Sequence, residues 1–393
     1  MNGLLETIMG GFVSRSPLKV FILFLPFYLM TSCTSGISFN YAKKFDVIVG
    51  NIDKIKPSGK KLAPLPAVYA TVQEAIDAAP EESPTPFRIY ISPGIYTEKL
   101  IITKNNVQLK GASASSTHIV FNDHAGKIGA DGKPLTTAGS ATLRIQAKDI
   151  VIENLTIENN FDYLVNDKLP DENPARIKDP QAVALFLDAP SDRTLIRNLT
   201  ILGYQDSLFV DSGRSWFDKV FIAGNVDYIF GSGNALFTNS EIKTLARGKI
   251  KDPHGFITAP STQITAPYGF TFLNCRLTRD KTVPDNSVAL GRPWHPTRDF
   301  TDGRYADPYA VGKSVFINSW MDSHITNMGW YSMGGTQKDG TRKIFLPEDA
   351  RFFEYKNKGP GATTRNNRRV LTHSEAELYT QYKILVDWQP NDI

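Results

Sequence analysis

The chain has 393 residues and a nearly balanced charge, with 44 Lys and Arg against 40 Asp and Glu and a formal net charge of +4. This balance does not indicate the basic surface that nucleic-acid binding requires, so no nucleic-acid partner is expected. The 6 histidines are scattered without metal-ligand spacing, and there are only 2 cysteines. We therefore expect no protein metal site, no other cofactor and no disulfide framework.

The N-terminal residues predict an export signal rather than part of the fold. Arg15 and Lys19 precede an apolar run over Val20–Met30, which is too short to span a bilayer as a helix but suits the core of a signal peptide. Thr31-Ser32-Cys33 follows directly, and small residues before a cysteine resemble a bacterial lipoprotein signal. Because the stretch before Arg15 is long, Met9 is an alternative start.

This pattern divides the chain into a signal peptide over 1–32, a tether over 33–45 and a single domain over 46–393. The resemblance implies that Cys33 is acylated and becomes the new N-terminus, which would attach the protein to the outer membrane by lipid. The alternative is an ordinary signal peptide with an incidental cysteine. In that case the protein would be periplasmic or secreted.

The first predicted element is a short helix between residues 70 and 79. Thr71 is followed three residues later by Glu74, with apolar residues at helical spacing and Pro80 behind them. Thr with Glu at that offset is the signature of a capping box. We expect this helix to cover the N-terminal end of the fold, where open strand edges would otherwise pair with other chains.

Short apolar strands repeat along the rest of the chain. Asn154-Leu155-Thr156-Ile157 returns 44 residues later as Asn198-Leu199-Thr200-Ile201. Related segments begin at four further positions: Lys219, Asn239, Asn274 and Asn318. We interpret the gaps of about 21 and 44 residues as one and two turns of a common period.

Strands of four to six residues at this spacing, with hardly any helix, indicate an all-β protein built as a single-stranded, right-handed parallel β-helix. Stacked coils would bury the inward residues of each strand in one continuous core. The rival, a β-sandwich, would show strands every 8–12 residues or so joined by hairpin turns, and this pattern is not seen.

Two aspartates stand in apolar segments about one coil apart. Asp206 runs into Ser207-Leu208-Phe209-Val210, and Asp227 lies between Val226 and Tyr228-Ile229-Phe230. A carboxylate in such surroundings needs hydrogen bonds or a cation. Two carboxylates in different environments can act as an acid and a nucleophile at one pH. Either Asp alone could simply mark a turn, but their repetition in neighbouring coils argues against that alternative.

Four segments carry a family resemblance. In chain order they are Gln181-Ala182-Val183-Ala184-Leu185, Gly203-Tyr204-Gln205-Asp206-Ser207-Leu208, Val226-Asp227-Tyr228-Ile229-Phe230-Gly231 and Leu290-Gly291-Arg292-Pro293-Trp294. In this order and spacing they resemble the signature segments of the pectin methylesterases (pectinesterases), over roughly residues 60–390. Insertions such as Phe161-Asp162-Tyr163 resemble the enterobacterial secreted branch rather than the plant one.

The resemblance implies a role for each matching residue. Asp227 would be the nucleophile and Asp206 the general acid and later the base. Gln181 and Gln205 would stabilise the oxyanion, and Arg292 would bind Asp227. Positions implied to bind substrate are Gln181, Arg292, Thr137, Trp294, Phe230 and Met333.

The chemistry is sound independently of the family. A carboxylate can cleave an ester if it stays ionised and is aimed at the carbonyl carbon, and a guanidinium binds a carboxylate in a fixed fork. Each residue also has an ordinary interpretation: Gln181 could belong to a polar ladder along the stack, Arg292 to a surface turn and Trp294 to the core. Tyr204 is expected to pack rather than bind sugar. A serine hydrolase is excluded because Gly231-Ser232-Gly233 is not a Gly-x-Ser-x-Gly nucleophile elbow.

The sequence thus predicts a monomeric esterase that removes methyl esters from pectin, giving pectate and methanol. Its partners would be a pectin or oligogalacturonide substrate and, through the lipid anchor, a membrane. Three alternatives stay open: a calcium-dependent pectate lyase on the same fold, a non-catalytic β-helix that binds glycans, and a family member that acts on an ester other than pectin.

Overall fold

The computed structural model describes residues 44–50, 66–363 and 368–390. The predicted signal peptide, Cys33 and nearly all of the tether lie outside these ranges. The described helices are short: α1 (Val72–Asp77), α2 (Thr136–Gly139), α3 (Tyr163–Lys168), α4 (His373–Ala376) and α5 (Gln381–Leu385), with a 3₁₀ turn at Pro347–Asp349. None of the described helices has the length and apolar character needed to cross a membrane.

Most strands belong to three parallel sheets that run the length of the domain. Sheet A has 11 strands, in spatial order β2 (Ala67–Tyr69), β1 (Val47–Val49), β3 (Phe87–Ile91), β6 (Val107–Gly111), β9 (Val151–Glu153), β12 (Thr194–Arg197), β15 (Arg214–Asp218), β18 (Asn234–Thr238), β21 (Phe270–Leu273), β26 (Lys313–Ile317) and β30 (Arg351–Tyr355). Sheet B has 8, in order β4 (Gly94–Thr97), β7 (Thr117–Phe121), β10 (Thr156–Asn159), β13 (Thr200–Leu202), β16 (Phe221–Gly224), β19 (Glu241–Thr244), β22 (Arg276–Arg279) and β27 (Trp320–Met321).

Sheet C has 7 strands, β5 (Leu100–Ile102), β8 (Leu143–Ile145), β11 (Leu185–Leu187), β14 (Leu208–Val210), β17 (Val226–Gly231), β20 (Gly255–Pro260) and β23 (Val288–Gly291). From β3 to β23 the chain visits sheets A, B and C in turn, so each coil adds one strand to every sheet. This topology confirms the predicted right-handed parallel β-helix. Two antiparallel hairpins lie outside the three sheets: β24 (Thr297–Phe300) with β25 (Gly303–Ala306), and β28 (Met333–Thr336) with β29 (Arg342–Phe345).

The repeated Asn segments are the corners between sheets A and B. The first residue of each segment has a positive φ between 50° and 57°: Asn154, Asn198, Lys219, Asn239, Asn274 and Asn318. Asn tolerates this left-handed backbone better than most residues do, which explains why it recurs there. The stack of bends turns the chain from one sheet to the next.

One detail of the predicted period was wrong. Thr156 pairs directly with Thr200, and Arg276 with Trp320, so a gap of 44 residues is one coil and not two. In each case the surplus residues form an insertion within the coil. Such an insertion is invisible to a count of spacing, because a long coil and two short ones give the same number.

The interior of the coils is apolar throughout the stack. Four phenylalanines in register on sheet A stack face to face, with centroid separations of 4.7, 4.5 and 4.3 Å: Phe217, Phe237, Phe272 and Phe316. Complete burial of a side chain of this size contributes about 1.5–3 kcal/mol. Helix α1 closes the N-terminal end of this core with Val72, Ala75 and Ile76, and Thr71 and Glu74 form the expected capping box.

Candidate active site

The two aspartates stand on neighbouring coils, where the chain passes from sheet B to sheet C. Leu208 pairs with Ile229, so Asp206 and Asp227, each two residues earlier, lie side by side in the stack. Both have positive φ, 66° and 49°, and both are nearly buried. The pairing of β17 with β20 also shifts register around Asp227, and such irregularities redirect side chains beside active sites.

Arg292 binds Asp227 from the end of β23. Its Nε donates to Oδ1 at 2.8 Å and its Nη2 to Oδ2 at 2.5 Å, which is the predicted fork. The guanidinium carbon lies 3.9 Å from the centre of the Phe256 ring, so a cation–π contact with this ring also holds the arginine in place. A Cβ at Gly291 would lie 2.2 Å from the Thr258 hydroxyl oxygen, which explains the glycine before Arg292.

Asp206 has a different environment. Burial, followed by the negative charge of Asp227, raises the pKa of Asp206 well above its usual range, although Arg292 acts in the opposite direction. Since the hydrogen bonds of Arg292 go to Asp227, Asp206 has no such fork. The carboxyl group of Asp227 is therefore held in an ion pair, whereas that of Asp206, one coil away, has a raised pKa.

The two glutamines lie beside the carboxyl groups on adjacent coils. The Ala182 N–H donates to the Gln205 carbonyl at 3.2 Å, and the Gln181 carbonyl accepts from Ala125 N–H at 2.8 Å. The side-chain oxygen of Gln181 is buried without a partner among the described residues. The two side-chain amides do not hydrogen bond each other within the described ranges, so they form no polar ladder and their N–H groups can serve a ligand.

An aromatic stack forms the outer face of sheet C next to this site. Phe186, Phe209 and Phe230 lie face to face with successive centroid separations of 4.2 Å. Trp294 meets Phe209 and Phe230 edge-on at 6.2 and 5.6 Å and is half-buried. Sequence reasoning missed Phe186 and Phe209. Each directly follows a buried leucine, Leu185 or Leu208, and the two leucines occupy the same position in neighbouring coils.

Thr137 and Met333 are less directly connected to the carboxyl groups. Thr137 lies in α2, whose next residue, Ala138, packs against the aromatic stack. Met333 opens β28 two residues beyond Tyr331, whose N–H donates to the Gly291 carbonyl at 3.0 Å. Each position is thus one or two residues from a residue that contacts the site, and its part in substrate binding stays a prediction.

Tyr204 packs as expected. Its ring stacks on Tyr163 with a centroid separation of 5.5 Å and an interplanar angle of 9°, and burial raises the pKa of Tyr163 to about 12. Tyr163 belongs to α3, within the insertion that resembles the enterobacterial branch. Phe256, whose ring packs against the Arg292 guanidinium, belongs to no motif in the sequence that would have predicted this contact.

No group of three or more His, Cys, Asp or Glu side chains with metal-binding geometry occurs among residues 44–50, 66–363 and 368–390. The arrangement consists of an ion-paired carboxylate, a carboxyl group with a raised pKa and two side-chain amides whose N–H groups have no partner among the described residues. These parts are of the kind that nucleophilic attack on an ester uses.

Comparison with known proteins agrees with this geometry. The Pectinesterase family model matches residues 66–386. Pectinesterase A of Dickeya dadantii is 47% identical over 325 residues, which cover 82% of this chain and 88% of the relative. A pectin methylesterase solved in complex with a hexasaccharide has a TM-score of 0.83 and 44% identity, covering 89% of this chain and 99% of that one. The pectin methylesterase of Yersinia enterocolitica has a TM-score of 0.79 and 45% identity, over 81% and 99%. The chain belongs to the Pectinesterase family.

Proposed function

We propose that the chain hydrolyses the methyl esters of pectin, a methyl-esterified polygalacturonate, to free carboxylates and methanol, with Asp227 as the nucleophile. Membership of the Pectinesterase family supports the reaction. The observation that carries the assignment of roles is the Arg292 fork on Asp227 beside Asp206, a carboxyl group whose pKa burial raises. The two carboxyl groups differ in the way that an acid and a nucleophile must differ at one pH.

In the first step an oxygen of Asp227 attacks the ester carbonyl carbon. The negative charge that develops on the carbonyl oxygen is stabilised by the side-chain amides of Gln181 and Gln205, each worth about 2.7–4 kcal/mol if it acts as an oxyanion donor. The C–O bond to the methoxy group then breaks, and Asp206 gives its proton to the departing oxygen. Methanol leaves, and Asp227 is joined to the substrate acyl group as an anhydride.

In the second step Asp206, now ionised, takes a proton from water. The resulting hydroxide attacks the substrate acyl carbon and the bond to Asp227 breaks. This leaves Asp227 as a carboxylate, Asp206 protonated again, and the substrate as a carboxylic acid that loses its proton to solvent. Two like charges, those of the new substrate carboxylate and Asp227, then lie close together, which favours release of the product.

The sugar chain has a surface suited to it beside the carboxyl groups. Trp294 is half-buried and packs edge-on against the buried Phe230, so that it offers an aromatic ring of the kind that packs well on the apolar faces of sugar rings. Thr137 in α2 and Met333 in β28 are one or two residues from Ala138 and Tyr331, which contact residues of the site. We assign six residues to substrate binding: Phe230, Trp294, Thr137, Met333, Gln181 and Arg292.

Methanol release from highly methylated pectin tests the proposal, with unsaturated uronate measured in the same reactions and a chelator added to half of them. We expect methanol, no unsaturated product and no effect of the chelator. Unsaturated product would indicate a lyase, and binding of pectin without methanol a non-catalytic glycan-binding protein. Methanol from other methyl esters but not from pectin would indicate a different substrate.

We also propose that Cys33 carries a lipid anchor that places the enzyme at the outer membrane. Support comes from the short apolar run that ends in Thr31-Ser32-Cys33. Each buried acyl methylene adds about 0.8 kcal/mol of membrane affinity, so two or three chains hold a protein firmly. Palmitate labelling with fractionation tests this: Cys33→Ser should abolish the label, whereas an unlabelled wild-type protein in the periplasm or medium would refute the anchor.

Light scattering of the soluble domain tests the expected monomer.

A further inference from the structure

Two long connections from sheet B to sheet C meet beside the carboxyl pair. The α3 connection comprises residues 160–184, between β10 and β11, and the Arg247 connection comprises residues 245–254, between β19 and β20. Neither has a chemical role in the proposed reaction, apart from Gln181 near the end of the first. Asp167 and Arg247 join them.

Asp167 is 3% exposed and points from α3 into the Arg247 connection. Arg247 donates from Nη2 to Oδ1 at 3.2 Å, and the Gly248 N–H donates to Oδ2 at 3.0 Å. Although burial acts in the other direction, the hydrogen bond and the charge of Arg247 keep the pKa of Asp167 below its usual range. The buried carboxylate therefore stays charged and paired.

The two connections touch closely around this ion pair. A Cβ at Gly248 would lie 2.6 Å from the Leu164 carbonyl oxygen and 2.8 Å from the Lys168 nitrogen, so there is no space between the backbones. The Lys249 ammonium group also donates to the Leu169 carbonyl at 2.6 Å. The position of one connection thus fixes that of the other.

Each connection also contacts the residue two positions before a catalytic aspartate. Tyr163 of the α3 connection stacks on Tyr204, which precedes Asp206. The Asn225 side-chain amide, before Asp227, donates to the Ala246 carbonyl of the Arg247 connection at 3.2 Å. The two sides are linked directly as well, since the Asn225 N–H donates to the Tyr204 carbonyl at 2.9 Å.

We propose that Asp167 is a positioning residue: by holding the two connections together through Arg247, it fixes the relative placement of Asp206 and Asp227 without touching the substrate. The proposal rests on the roles given to these two aspartates under the proposed function. It goes beyond them because Asp167 acts through Tyr204 and Asn225 rather than on the ester.

The test is Asp167→Asn, which keeps the shape of the side chain and removes its charge. We expect kcat on methylated pectin to fall by between about tenfold and a hundredfold, since small displacements of reacting groups have effects of this size. KM should change little, and the alkaline limb of the pH profile of kcat/KM should shift, because the separation of Asp206 from Asp227 and Arg292 changes.

Asp192→Asn is the matched control. Asp192 also lies in an arginine fork, with Arg214 donating at 3.0 and 2.7 Å. It stands in the turn between β11 of sheet C and β12 of sheet A, whereas the carboxyl pair lies where the chain passes from sheet B to sheet C. Loss of the Asp192 charge should lower Tm and leave kcat and the pH profile of the folded enzyme unchanged. If Asp167→Asn behaves in the same way, Asp167 is merely structural and the proposal is overturned.

If Asp167→Asn does not fold, Arg247→Lys replaces it as the test. A lysine retains the positive charge of Arg247 but cannot form the same pair of hydrogen bonds with Asp167. A lowered kcat with a shifted pH profile supports positioning, and wild-type values of both overturn it. A wild-type enzyme that released no methanol would refute the proposed function itself, so the two failures are distinguishable.

Discussion

Arg292 reaches Asp227 across two coils of the β-helix and donates to both of its carboxylate oxygens, although the two residues are 65 positions apart in the chain. Asp206, one coil from Asp227, has no such fork among the described residues, and burial followed by the charge of Asp227 raises its pKa well above the usual range. This asymmetry distinguishes two otherwise similar aspartates and underlies the division of roles between them.

Arg292→Lys should lower kcat/KM by about tenfold to a hundredfold, because an ammonium group cannot reproduce the fork and a displaced nucleophile attacks less often. Initial rates of methanol release measure the effect. Arg276→Lys, at an exposed position on sheet B, is the control and should leave kcat/KM unchanged. Equal activity of the Arg292 and Arg276 variants would show that Arg292 only supports the fold.

Gln181→Ala and Gln205→Ala should each lower kcat by about a hundredfold or more, with a much smaller change in KM, as is typical of a donor that acts mainly in the transition state. Steady-state kinetics on methylated pectin separate the two constants. Gln108→Ala, on sheet A, is the control. An effect confined to KM would identify the glutamines as ordinary substrate contacts.

Asp206→Asn should inactivate the enzyme and stabilise it at neutral pH. Because burial raises the folded pKa of Asp206 above the unfolded value of about 3.9, its contribution to stability is complete below that value and is lost as the pH rises through the folded pKa. The asparagine stays neutral throughout. The Tm of the variant should thus exceed that of the wild type near pH 7, and the difference should shrink towards pH 4. A constant difference across this range would contradict the raised pKa.

His324 should make the fold sensitive to acid. It is fully buried, neither ring nitrogen has a partner among the described residues, and burial lowers the pKa of His324 to about 4. The unfolded chain binds this proton near pH 6.5, so stability falls as the pH drops from about 6.5 to about 4, by on the order of 3 kcal/mol. His324→Leu should reduce the slope of unfolding free energy against pH, whereas His373→Gln at an exposed position should not. An unchanged slope in the leucine variant would refute this account.

The features that repeat along the chain or form a motif could be predicted from the sequence. The asparagine corners indicate the parallel stack, and the coil period by itself places Asp206 beside Asp227. The fork from Arg292 followed from the family resemblance and is present.

What the sequence did not reveal depends on contacts between distant insertions. Asp167 and Arg247 are 80 residues apart, and Phe256 lies beneath Arg292 without any motif around it. Insertions within coils also misled the count of turns. Periodicity reports which residues share a face of the stack, but it contains no information about where connections outside the stack meet.

The most direct test of the account is methanol release from highly methylated pectin by Asp227→Asn, with Asp211→Asn as its matched control. Asp211 follows β14 on the same sheet and is held by the Ser232 hydroxyl at 2.8 Å rather than by an arginine. Both variants should fold, as judged by circular dichroism and Tm. The account predicts no turnover by Asp227→Asn, because an amide of the same shape cannot attack the ester, and a rate near that of the wild type for Asp211→Asn. A folded Asp227→Asn enzyme that kept even about a tenth of the wild-type rate, a loss far smaller than that of a nucleophile, would contradict the assignment of Asp227.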